Sequence, residues 1–108
     1  MNRFLVLVAF VLIGISAQVY SAETYAFPNP YRANVNPNIT FTNLPGSGTI
    51  EIYSISGEKV AQLSIAPGEL SKQWNATNDD GEKLASGVYI YIVQAGGQTS
   101  QGKIIVIT

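Results

Sequence analysis

The stretch "NDDGEKLASGVYIYIV", residues 78–93, decides how this chain is read. Three polar side chains, two of them acidic, stand ahead of Gly81, and a strongly apolar run follows. Such a knot is either a metal or catalytic site, or a turn that feeds a strand. Calcium loops of the EF-hand type need oxygen ligands at alternating positions and a glycine at the sixth. Counted from Asn75, the ligands would be Asn75, Thr77 and Asp79, but the sixth position holds Asp80. Adjacent carboxylates on an extended chain point opposite ways, so Asp79 and Asp80 make a poor acid–base pair. A turn accounts for every residue. Asn and Asp accept local main-chain bonds, and Gly81 supplies a positive φ. The turn is the favoured reading, with a weak calcium site as the alternative, and Val88 to Val93 is the strand it feeds.

The same punctuation recurs along the chain. Tyr25-Ala26-Phe27 is stopped by Pro28-Asn29-Pro30, where two prolines each remove a main-chain donor. Residues 31–37 read as an Asn-rich loop. Ile39 and Phe41, with Val35 as a further candidate, alternate with polar neighbours, and Pro45 to Gly48 makes a turn. Ile50 and Ile52 alternate with Thr49 and Glu51 in a strand over 49–55. Ser56-Gly57-Glu58 reverses it, and Ala61, Leu63 and Ile65 return in phase. Pro67-Gly68 precedes Leu70 to Trp74, and Ala95-Gly96-Gly97 separates Val88–Val93 from Lys103–Ile107. Period-two patterning with a Gly or Pro break every 8–12 residues predicts an all-β sandwich. Val88–Val93 and Ile104–Ile107 are apolar on both faces, which predicts central strands or a covered outer face. Trp74, Phe41, Tyr89 and Tyr91 are the large core candidates.

The N-terminus reads differently. Met1-Asn2-Arg3 is a short basic start, Phe4 to Ile15 is almost unbrokenly apolar, and small residues follow. That is the pattern of a secretory signal peptide, 1–21, with cleavage expected after Ser21 and Val19 at the −3 position. The apolar run is shorter than the about 20 residues a spanning helix needs. An uncleaved N-terminal anchor is the competing reading. No cysteine follows the run, which excludes lipoprotein processing. The domain expected is 22–108. Arg3 is the only one of six basic residues ahead of it, so it carries five against seven acids, a net −2. With no basic patch, nucleic acid and anionic membrane surfaces are not expected partners.

Composition also bounds the chemistry. The 108 residues include no cysteine and no histidine. Disulfide staples, thiolate chemistry, imidazole catalysis and most zinc or copper sites are therefore excluded. Serines lack a histidine partner, and no spacing marks a Ser–Lys pair. Gly46-Ser47-Gly48 and Gly96-Gly97 sit between strands, not in a phosphate loop. The expectation is a non-enzyme with no catalytic, cofactor-binding or metal residues, no cofactor and no small-molecule substrate. Tyr89 and Tyr91 share one face of one strand, which suits core packing or, less favoured, a sugar platform. Asn38-Ile39-Thr40 and Asn75-Ala76-Thr77 match the glycosylation acceptor pattern, a cheap match.

Taken in order, "FPNPYRANVNPNITFTNLP", "GTIEIYSISGEKVAQL", Trp74, "DDGEKLASGVYIYIVQAGG" and "GKIIVIT" resemble one bacterial family. It is the C-terminal sorting domain of the Por (type IX) secretion system, type A, whose pattern the Ig-like domain of the flagellar hook-capping protein shares. The match rests on Pro28-Asn29-Pro30, Ile52-Tyr53, Gly57, Val60, Trp74, Asp80-Gly81, Ser86-Gly87-Val88-Tyr89 and Lys103. It covers Tyr25 to Thr108. The resemblance implies an Ig-like antiparallel sandwich of about seven strands acting as an address. Its partner would be the secretion machinery at the outer membrane, reached through the periplasm, with delivery to the cell surface or beyond. Mature protein would cross membranes without being embedded. An address needs an exposed strand or tail that a partner can pair with, and the final Ile104–Ile107 run would suit such strand addition. The runner-up is an extracellular structural or adhesive module that self-associates through an edge strand, and a carbohydrate-binding module comes third.

Overall fold

A computed structural model describes residues 23–108; the expected signal peptide lies outside the described residues. Alternating apolar residues build eight strands. They are β1 (Tyr25–Phe27), β2 (Tyr31–Arg32), β3 (Ile39–Thr42), β4 (Gly48–Ser54), β5 (Lys59–Ile65), β6 (Ser71–Trp74), β7 (Gly87–Ala95) and β8 (Gln98–Ile107). No helix interrupts them among the described residues. They form a three-stranded sheet, order β1-β3-β6, and a five-stranded sheet, order β2-β8-β7-β4-β5. The fold is an all-β sandwich, in line with the Ig-like expectation.

The core lies where the two inner faces meet. Ile39 and Phe41 of β3, Ile50 and Ile52 of β4 and Ile104 of β8 are fully enclosed. Each such side chain contributes roughly 1.5–3 kcal/mol relative to exposure. Phe41 joins the sheets. Its ring lies 6.3 Å from Trp74 in its own sheet and meets Tyr91 of the other sheet edge-on at 5.2 Å. Edge-to-face pairs of this kind add about 0.5–1.5 kcal/mol beyond their area. Two buried polar tips have close partners. Trp74 Nε1 donates to the Thr77 carbonyl at 3.0 Å, and the Tyr89 hydroxyl donates to the Ala85 carbonyl at 2.8 Å.

Three expectations change. Residues 31–37 are not all loop: Tyr31 and Arg32 form β2, parallel to Val106 and Ile107 of β8. Two residues carry no periodicity, and what makes them a strand is a partner far along the chain. Val35 does not join the Ile39–Phe41 face; it is 69% exposed. The last strand begins at Gln98, not Lys103, because β7 and β8 pair continuously from Ala95↔Gln98 to Gly87↔Val106. As expected, β7 is central. Among the described residues nothing covers the outer faces of β7 and β8 at Val88, 36% exposed, and Ile105, 43% exposed.

Candidate functional site

The acidic knot is a hairpin with a second task. Asn78 Oδ1 accepts from the amides of Asp80 and Glu82, both at 2.9 Å, and Asn78 Nδ2 donates to Glu82 Oε1 at 3.1 Å. Gly81 closes the turn at φ 84°, and Thr77 bridges Lys83 across it. Asp79 points elsewhere. Its amide donates to the Val60 carbonyl at 3.0 Å, and its Oδ1 accepts from the Gln62 amide at 3.1 Å. Val60 and Gln62 lie on β5, the edge strand of the larger sheet, where the register slips so that Ile52 faces Ala61 and Tyr53 faces Lys59. The knot therefore docks on a β-bulge and occupies two of the polar groups, the Val60 carbonyl and the Gln62 amide, that an exposed edge would offer to a stray strand. Its carboxylates do not converge. Among the described residues there is no group of three acidic side chains spaced to hold a metal.

A second carboxylate closes the end of the same edge. Glu69 Oε1 accepts from the Ala66 amide at 2.7 Å, with Lys72 Nζ at 3.5 Å. That main-chain donor, helped by the Lys72 charge, holds the Glu69 carboxyl below its ordinary value.

At the other edge, β8 is closed by a different device. Asn29 Oδ1 accepts from the Ile105 amide at 2.9 Å, and Asn29 Nδ2 donates to the Lys103 carbonyl at 2.8 Å. One amide side chain thus imitates a paired strand residue. Next to it, β2 pairs at Val106 and Ile107, and the Ala33 amide donates to the Ile107 carbonyl at 2.9 Å. Ile104–Ile107 is therefore occupied along both sides, and strand addition there, expected from the sequence, has no free edge to use. The open part of β8 lies earlier. The bonds at Lys103, Ile105 and Ile107 put the odd-numbered main-chain groups outward, so Thr99 and Gln101 face the same way. Among the described residues no strand lies beyond them.

This open edge borders a cleft of about 250 Å³ walled by Glu23, Thr24, Asn43 and Pro45 on one side and Gln98, Thr99 and Ser100 on the other. Tyr91 braces it from inside. Tyr91 faces Gly102 across the ladder, and a Cβ at Gly102 would stand 2.4 Å from the Tyr91 hydroxyl oxygen. The ring takes the space a side chain would need, and its hydroxyl reaches toward the Thr24 carbonyl at 3.5 Å. Burial, with the Glu23 charge adding to it, raises the Tyr91 phenol.

The tyrosines sort readily. Tyr89 and Tyr91 are buried at 8% and 5%, and so cannot serve as a sugar platform. Tyr31 is buried too, while Tyr25 is exposed beside Phe27 at 5.9 Å between ring centres. Tyr53 donates its hydroxyl to Glu51 Oε1 at 3.0 Å, a bond that raises its phenol.

The sequence family that matches residues 25–107 is described as "Secretion system C-terminal sorting domain". The chain belongs to this family. The residues that carried the resemblance are largely those that close the sandwich: Asn29 and Lys103 at one edge, Val60 and the Asp80-Gly81 turn at the other, Trp74 between the sheets. Ser86 holds the end of β8, its Oγ accepting from the Thr108 amide at 2.9 Å. Among solved structures, the sorting domain is similar to part of PorZ, described as an essential bacterial surface component of the type-IX secretion system of Porphyromonas gingivalis. Identity is 26% with a TM-score of 0.67, covering 82% of this chain and 12% of PorZ. It shares its fold with part of dimeric latent PorU from the same organism, at 24% identity and a TM-score of 0.57, covering 79% of this chain and 9% of PorU. The chain thus spans a small fraction of either protein. No curated protein sequence matches it.

Proposed function

We propose that this sandwich is an address, read by the type IX export machinery at the outer membrane and used to move the chain to the cell surface or the medium. The family match over residues 25–107 carries this reading. In it, residues 1–21 act as the signal peptide that takes the chain across the inner membrane. The domain then folds in the periplasm and is grasped there by a protein partner. It binds no nucleic acid and turns over no substrate. The absence of histidine and cysteine from the chain favours that role over catalysis.

Such an address needs a stable body that presents main chain or side chains in fixed positions. The cysteine-free core and its guarded edges suit this requirement. The test is delivery of the full chain in a bacterium that has the type IX machinery and in the same strain lacking it. Surface or extracellular protein should appear only in the first. Equal delivery in both would end the sorting reading and leave an extracellular structural module in its place.

A further inference from the structure

Exposed strand edges recruit other strands, and proteins usually guard them with charges, prolines, bulges or short lengths. Most edges here are guarded. β5 carries a bulge and the Asp79 and Glu69 caps. β2 has two residues, and β1 has three followed directly by Pro28. β6 has four, one of them Lys72. The early part of β8 differs. Gln98-Thr99-Ser100-Gln101-Gly102 belongs to the longest strand, ten residues, and holds no charge and no proline. Its outward groups at Thr99 and Gln101 meet no strand among the described residues.

We propose that this edge, Thr99–Gly102, is where an extended segment of the export machinery adds itself as a further strand, with a basic side chain set against Glu23. The inference rests on the sorting function above and names the place and manner of capture. Strand addition draws affinity from main-chain bonds and selectivity from side chains that meet the walls. The walls here are polar, and among the described residues Glu23 supplies their only charge. That charge selects the occupant. A second copy of this chain would bring its own β8, whose one basic residue is Lys103. Lys103 lies beside Val88 and Ile105 on the outer face of the sheet, away from the cleft. A basic partner segment meets Glu23 directly.

The experiment follows delivery of the full chain in the strain with the machinery. Gln101→Pro removes the outward amide at the centre of the open edge, and no β7–β8 ladder bond uses that amide. Losing the bonds around one strand residue should lower delivery about tenfold, with the melting transition retained. Glu23→Gln, at an exposed position, should lower delivery severalfold and decides the matter should the proline variant fail to fold. Wild-type delivery by a folded Gln101→Pro chain, or by Glu23→Gln, would overturn the proposal. So would a concentration-dependent dimer of the wild type that Gln101→Pro abolishes, which would assign the edge to a second copy. Failure of the wild type itself to need the machinery would count against the sorting function, and is seen separately in the strain lacking it.

Discussion

The two long edges of the larger sheet meet the same difficulty and resolve it differently. On the β5 side, carboxylates do the work: Asp79 takes the Gln62 amide and Glu69 takes the Ala66 amide. On the β8 side, a neutral amide, Asn29, takes Ile105 and Lys103, and a two-residue strand takes the end. The first edge is capped at Val60, Gln62 and Ala66 by segments within twenty positions. The second is closed only over its last residues, by segments more than seventy positions away. The contrast is between a side capped at intervals and a side on which, among the described residues, Thr99 to Gly102 meets no cap.

Breaking the open stretch itself should have the largest effect. Gly102→Ala sets a methyl group against the buried Tyr91 ring, whose atoms lie 2.4–2.8 Å from the added carbon. Overpacking of this kind costs about 1–3 kcal/mol, so the melting temperature should fall by more than for any edge-cap variant. Asn29→Ala comes next. It removes two main-chain bonds, about 1–2 kcal/mol in all, and extends the open edge to Ile105. Chemical denaturation should register the loss, and the Ile105 amide should exchange faster. Asp79→Ala makes the β5 edge resemble the β8 edge, at about 1 kcal/mol. Its expected signature is faster exchange at Gln62 with little change at Ile105.

Acid offers the gentlest perturbation. The Glu69 carboxyl is held below its ordinary value by the Ala66 amide. Its contribution is therefore complete above the unfolded carboxylate range, near pH 4.3, and is lost as pH falls through the lower folded value. Exchange at Ala66, corrected for the intrinsic pH dependence, should accelerate in that acid window. The Ile105 amide, capped by the neutral Asn29, should not respond there. Glu69→Gln should remove the pH dependence at Ala66.

Much of the sandwich was legible because it depends on local alternation. Ile50 and Ile52, Phe41, Trp74 and the Tyr89–Tyr91 pair fall inward as their spacing predicts. The turn at Asn78–Gly81 was legible for the same reason, since Asn78 bonds residues two and four positions on. What Asp79 does was not, because its target lies 17 positions back on β5. β2 was missed because a two-residue parallel pairing leaves no pattern of its own. The free edge of β8 was misplaced for a related reason. Ile104–Ile107 advertises itself by composition, whereas an open edge is defined by the absence of a neighbour. That depends on where Asn29 and β2 arrive.

Amide hydrogen exchange on the folded protein at neutral pH tests the account most directly. Gln62, Ala66 and Ile105 should be protected, while Thr99 and Gln101, facing outward on the same ordered sheet, should exchange at rates close to those of an unpaired chain. Protection at Thr99 and Gln101 equal to that at Ile105 would contradict an available edge on β8.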